Sequence, residues 1–273
     1  MNPLSLSYYT VPELDPPATV DVAAACGCDH IGLRLLAGQP GSDLLPIMTD
    51  RALRRATRQR LDDSGLTVLD ANTARLVPAT SVSAFRPFFE VAAELGARHA
   101  LATADDADGD RLADRLAELC DLAAEYDMTV QLEFVPWMRV ASLVDAGGMV
   151  QRAGRPNLGI AIDALHFDRS HGRLQDIAAL PAAWFAYMHL CDAPAGWAPD
   201  KAALLHTAVK ERLFPGEGGI DLVGLLRALP TNIPLALEIP TERLARALPA
   251  RQRVARAVAA TKRVVARAHE REI

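Results

Sequence analysis

Short apolar runs alternate with longer stretches of helical period along the whole chain, and this alternation narrows the fold more than any other feature. The runs LSLSYY, HIGLRL, LTVLDAN, HALAT, MTVQLEF, LGIAID, FAYMHLCD and PLALEI read as strands. The segments between them are rich in Ala, Leu and Arg and carry helix signals. Thr49 is placed to cap the segment TDRALRRATRQRLDDSG and Gly65 to end it. Strands that alternate with helices imply a parallel sheet with crossover connections. Eight such units in 273 residues predict an α/β fold, a (β/α)8 TIM barrel, which typically takes about 250 residues. Residues 1–273 are then one barrel domain. A doubly wound open sheet is the other arrangement the alternation permits. It would carry a G-x-G-x-x-G turn after its first strand, and the chain has none there.

Composition bounds the partners. Net charge is −5, with both signs mixed along the chain, unlike the basic stripe of a nucleic-acid binder. The segment MNPLSLSYYTVPELDPP lacks the basic and apolar regions of a secretory signal. No apolar run reaches the roughly 20 residues needed to span a bilayer. Cys26, Cys28, Cys120 and Cys191 form no C-x-x-C pair and read as reduced thiols of a cytosolic protein. The expectation is a cytoplasmic protein that acts on a small molecule, with no nucleic-acid or membrane partner and a homo-oligomer left open. From about Pro249 a basic amphipathic helix closes the chain. Its arginines, Arg253 among them, form a solvated face, and Val254, Val258, Val264 and Val265 form the buried stripe.

Active sites of TIM barrels sit at the C-terminal ends of the strands, so polar residues there are the candidates. The fifth strand ends at Glu133, the sixth at Asp163 with His166 just beyond, the seventh at His189 and Asp192, the eighth at Glu238. Each has an ordinary explanation by itself. Asp163, in IAIDALHF, can cap the segment that follows it, and a lone histidine near a strand end is usually a hydrogen-bonded structural residue. Together they converge from four adjacent strands on one place. Carboxylates with an imidazole make a hard, oxygen-rich site that suits Mn²⁺, Mg²⁺ or Co²⁺ and also tolerates Zn²⁺. One divalent ion is expected, Mn²⁺ or Mg²⁺ first. His166 is free to donate a hydrogen bond to a substrate oxygen. Trp137 and Trp197 stand in loops of the same face, with Trp137 favoured as a pocket wall. Arg34 ends the second strand and can face the mouth or form an ion pair.

The stretches LEF with Glu133, IDALH with Asp163 and His166, MHLCD with His189, RLFPGEGGIDL, and LEI with Glu238 resemble the sugar phosphate isomerase/epimerase superfamily, the xylose-isomerase-like barrels that share the endonuclease-IV-like fold. The resemblance covers nearly the whole chain. It implies Glu133, Asp163, His189 and Glu238 as metal ligands. It implies His166 and Arg212 as substrate contacts, and a largely structural Glu217 in the Pro-Gly-Glu-Gly loop. It also implies that Glu133 and Glu238 flank the substrate, so that one removes a proton and the other returns it, with His166 beside them as a third catalytic residue. Ketose epimerases of the superfamily carry a second acidic residue six positions after the first metal glutamate. Here that position is Arg139, which suits a substrate carboxylate or phosphate. The implied activity is a divalent-metal-dependent isomerase or epimerase that acts on a small hydroxy-ketone or keto-sugar acid, by α-proton abstraction through an enediolate held by the metal. The alternative is a lyase of the 3-dehydroshikimate or inosose dehydratase type. An apurinic endonuclease would need an Asp-x-His pair where this chain has Arg212 and Phe214. The intact quartet argues against a non-enzymatic sugar binder.

Overall fold

A computed structural model of the chain describes residues 2–37, 45–196 and 200–270. Within them, eight parallel strands close into a barrel in sequence order: β1 (Leu4–Leu6), β2 (His30–Arg34), β3 (Thr67–Leu76), β4 (His99–Ala104), β5 (Thr129–Glu133), β6 (Leu158–Asp163), β7 (Met188–Leu190) and β8 (Leu235–Leu237). β1 pairs with both β2 and β8, so the sheet has no open edge. The expected (β/α)8 TIM barrel is the fold. The strands are apolar because both faces are covered, and every residue of β6 is buried. Alternate positions divide the core. Ala100, Ala102, Ile160 and Ile162 join the large cluster under the helices, whereas Leu101 and Ala161 belong with Leu69, Tyr187 and Ala236 to a second cluster inside the barrel.

The outer layer is α1 (Pro16–Ala25), α2 (Pro46–Thr49), α3 (Arg51–Ser64), α4 (Arg86–Glu94), α5 (Gly109–Ala124), α6 (Leu143–Ala153), α7 (Ala164–Arg169), α8 (Leu174–Ala178), α9 (Lys201–Lys210), α10 (Leu222–Ala228), α11 (Glu242–Ala247) and α12 (Ala250–His269). Asp50, and not Thr49, caps α3. Thr49 is the last residue of α2, the backbone reopens at Asp50, and its carboxylate accepts the N–H groups of Ala52 and Leu53. Gly65 ends α3 at φ 72°, a left-handed conformation that glycine adopts without strain. The valine stripe of α12 is buried as expected, but Arg253 is buried with it. Arg253 donates to the Leu248 carbonyl and to Glu13, which ties α12 to the loop after β1. Two further departures bear on the site. β3 runs past Asn72, where the apolar run LTVLDAN ends, to Leu76, and two helices, α9 and α10, stand between β7 and β8 in place of a single one. No helix among the described residues is long and apolar enough to cross a membrane.

Candidate metal centre and active site

Glu133, Asp163 and His189 stand in β5, β6 and β7, and Glu238 directly follows β8. Asp163 pairs in register with His189, and Leu190 with Leu237, so adjacent strands deliver these side chains at one height. All four are buried, and one donor atom from each lies within 4.8 Å of all the others. His189 is the hub. Its Nδ1 is 3.0 Å from Glu133 Oε1 and 3.7 Å from Glu238 Oε2. The two glutamates are held differently. Glu238 accepts from Ser7 Oγ at 3.2 Å through Oε1 and pairs with Arg212 at 3.2 Å through Oε2. Among the described residues, Glu133 is met by His189 alone, through Oε1.

Asp163 does both things its sequence position allowed. Its Oδ1 accepts the His166 N–H at 2.9 Å and so caps α7, while Oδ2 lies 2.5 Å from Arg212. Burial by itself would raise its pKa. The Arg212 guanidinium, aided by both imidazoles, outweighs this and holds the carboxyl below the usual carboxylate range. Burial works against charge on His189 too, but Glu238, Asp70 and Glu133 raise its pKa well above the ordinary value. Glu238 moves up, chiefly through burial, against the pull of His189 and Arg212. The centre is therefore a desolvated, carboxylate-dominated cluster. Three carboxylates and one imidazole within this spacing fit a divalent cation with hard donors, and these four side chains can hold one.

Above the cluster opens a cavity of about 290 Å³. Glu133, Glu238, His166, Arg212 and Trp137 all line it, so most of the expected site residues share one space. The Trp137 ring meets His166 edge-on, with centroids 5.2 Å apart. Burial pushes the His166 pKa down to about 4, so its imidazole is neutral near pH 7, and its buried Nδ1 has no hydrogen-bond partner among the described residues. Arg212 is engaged by Asp163, Glu238 and the Ala208 carbonyl. Arg34 reaches the mouth, where it lies over the Tyr9 ring at 4.7 Å.

Arg139 does not join this cavity. Its side chain is exposed in a separate groove beside α5 and α6, with Asp106 and Arg152. The chain turns back on itself between Val135 and Val140, so Trp137 and Met138 face the cavity and Arg139 faces away. What Arg139 supplies is its backbone N–H, which donates to Asp105 Oδ1. The Asp105 carboxylate in turn pairs at 3.2 Å with Arg75, and Arg75 lines the cavity. Glu217 is exposed. The organiser of its loop is Asp192, whose carboxylate accepts the N–H groups of Ala193, Gly216, Gly218 and Ile220. A side chain at Gly218 would collide with the Ala193 carbonyl. Trp197 lies outside the described residues.

Ser7, Asp70 and Arg75 were not anticipated. Ser7 and Arg75 follow or extend strands that were read as ending earlier or carrying no site. Asp70 had a signal, an ionisable residue between Leu69 and Ala71 inside an apolar run.

The family model described as xylose isomerase-like TIM barrel matches residues 20–264. The 3-dehydroshikimate dehydratase of Pseudomonas aeruginosa is 34% identical over 132 residues, which are 47% of this chain and 20% of that protein. The inosose isomerase of Bacillus velezensis is 30% identical over 122 residues, 43% of this chain and 40% of that one. The matches thus span less than half the length of these curated relatives. Among solved structures, the IolI protein with a binding zinc atom superposes with a TM-score of 0.82 at 20% identity, covering 98% of this chain and all of that one; this is a likeness of fold. Matched by the family model over nearly all of its length and closed strand by strand in sequence order, the chain belongs to the xylose isomerase-like TIM barrel family.

Proposed function

We propose that this protein is a divalent-metal-dependent isomerase or epimerase of a small hydroxy-ketone or keto-sugar acid. The observation that carries the reading is that Glu133 and Glu238 line one cavity and share His189 between them. Glu133, Asp163, His189 and Glu238 would hold the ion, Mn²⁺ or Mg²⁺ first. Bound there, it would polarise a carbonyl and stabilise negative charge developing beside it. The chain's own residues do the rest. Glu133 has an oxygen that no hydrogen bond from the described residues engages, so it is suited to take the proton next to a substrate carbonyl. Glu238 is the better donor for its return, because burial raises its pKa. His166, neutral and walled by Trp137, donates to or accepts from a substrate hydroxyl.

A second reading keeps the first half of this chemistry and ends in loss of a β-hydroxyl, as a dehydratase. Arg34 and Arg75 favour it, since they place two guanidinium groups on the cavity wall and suit an acidic substrate. Both readings are tested by incubation in D₂O with added Mn²⁺ and a panel of ketoses, inososes, hydroxypyruvate and 3-dehydroshikimate. Deuterium should enter a carbon α to the carbonyl of one of them, and the product distinguishes isomerisation from elimination. No exchange with any of them, with metal bound, would refute proton abstraction.

A further inference from the structure

Asp70 sits within β3, inside the barrel, with no exposed surface. A buried carboxylate is costly unless it is paired. Among the described residues its one ion-pair partner is His189, whose Nε2 is 3.6 Å from Asp70 Oδ2. Tyr187 donates its hydroxyl to the same oxygen at 3.3 Å. Among the described residues, neither Asp70 Oδ1 nor His189 Nε2 has a hydrogen-bond partner. Room for the carboxylate comes from β2, where a Cβ at Gly32 would stand 2.6 Å from Oδ1.

The two nitrogens of His189 therefore face different groups. Nδ1 faces Glu133 and Glu238, and Nε2 faces Asp70. A neutral imidazole that offers Nδ1 as a ligand carries its proton on Nε2. We infer that Asp70 is a positioning residue for the metal centre: its carboxylate, 3.6 Å from Nε2, favours the tautomer that keeps the proton on Nε2 and, once the ring settles onto an ion, accepts a hydrogen bond from that Nε2–H, leaving Nδ1 free and aimed at an ion held with Glu133, Asp163 and Glu238. This rests on the metal-centre reading above. Carboxylates placed behind ligand histidines orient the ring and raise its basicity, and their loss commonly weakens metal binding about 10–100-fold.

The test is calorimetric titration of the full chain with Mn²⁺ and with Zn²⁺. Asp70→Asn, which keeps an acceptor oxygen, should bind about 10-fold more weakly, and Asp70→Ala closer to 100-fold. Tyr187→Phe, which leaves the Asp70–His189 pair in place, should stay within about threefold. The thermal midpoint of the metal-free variants gives the contrasting readout. A residue that only props the barrel would lower the midpoint and leave affinity unchanged, and that result would overturn the inference. Should the Asp70 variants fail to fold, nitrogen NMR of the zinc-loaded parent decides by itself. It should show His189 metallated at Nδ1 and protonated at Nε2, and metallation at Nε2 would overturn the inference. If His189→Ala also retains parental affinity, the metal-centre reading falls with it. If His189→Ala loses the metal and both Asp70 variants keep it, only the role of Asp70 is refuted.

Discussion

The two halves of the barrel contribute differently to the site. From β5 to β8, each strand end delivers one donor, and the four donors come within 4.8 Å. From β1 to β4, no strand delivers one. That half supplies Ser7 against Glu238, Asp70 behind His189, and Arg34 and Arg75 on the cavity wall. The contrast follows from what each task demands. An ion needs several donors converging on one point, which adjacent strands at one height provide. A substrate needs contacts from the opposite wall, and ligands need groups behind them to fix their aim. On the proposed function one half would carry the chemistry and the other would orient it, so substitutions in the two halves should fail in different ways.

The largest effects belong to the donor half. Glu133→Gln and Glu238→Gln keep shape and one ligating oxygen but remove a base, and each should lose roughly 10²-fold or more of turnover with metal still bound. The two differ in hydrogen bonding, since Ser7 and Arg212 hold Glu238 and neither holds Glu133. Deuterium wash-in should therefore stop in Glu133→Gln and persist in Glu238→Gln. Exchange at the parental rate in both would end the proton-transfer mechanism.

Arg75→Leu addresses the orienting half. With an acidic substrate it should raise KM about 10-fold or more and change kcat little, the size expected for one lost hydrogen bond to a charged group. Arg139→Leu, whose side chain points into the outer groove, should stay within about twofold of the parent, well short of that loss. Equal effects from both substitutions would erase the distinction drawn between them.

The clustering of Glu133, Asp163, His189 and Glu238 was legible in the sequence because each interrupts an apolar run where burial would otherwise continue, as in IAIDALH and LALEI. Asp163 shows the limit of choosing between readings, since one oxygen caps α7 and the other meets Arg212. The orienting half was harder to read for a physical reason. β3 slips in register against both neighbours, between Ile31 and Gly32 on one side and between Ala71 and Ala74 on the other. The strand runs on past Asn72, Arg75 reaches the cavity from beyond the apolar run LTVLDAN, and Asp70 faces His189 from inside the strand. Arg139 fails in the opposite sense. Six positions after Glu133 fixes a distance along the chain, but the turn from Val135 to Val140 sets the direction. The eight strands were readable because their apolar runs are short and evenly interleaved with helices. α9 was not, since nothing in AALLHTAV has a strong one-sided pattern, and only Ala208 of that helix is buried.

The smallest expected effect lies low in the orienting half and should appear in stability alone. His99, the first residue of β4, has its Nδ1 2.7 Å from Thr129 Oγ1 and packs its ring on Tyr187. Burial lowers its pKa to about 4, with Arg98 and His30 acting in the same direction and Asp70 opposing them. An unfolded chain would protonate this histidine near pH 6.5. Above that pH both states are neutral and stability is unaffected. Between pH 6.5 and about 4 the unfolded chain takes up a proton that the folded barrel resists, so the folded state loses ground as pH falls, by a single-site total on the order of 3 kcal/mol. Urea unfolding of the parent and of His99→Gln at pH 7, 5.5 and 4.5 isolates this contribution from that of other titrating groups. The difference in stability between the two proteins should shift in favour of the variant as pH drops, while Mn²⁺ affinity at pH 7 stays the same in both. A pH-independent difference would mean that His99 accepts its proton in the folded barrel as readily as in the unfolded chain. A change in Mn²⁺ affinity would mean that the contact through Tyr187 to Asp70 carries its influence up to the donor half.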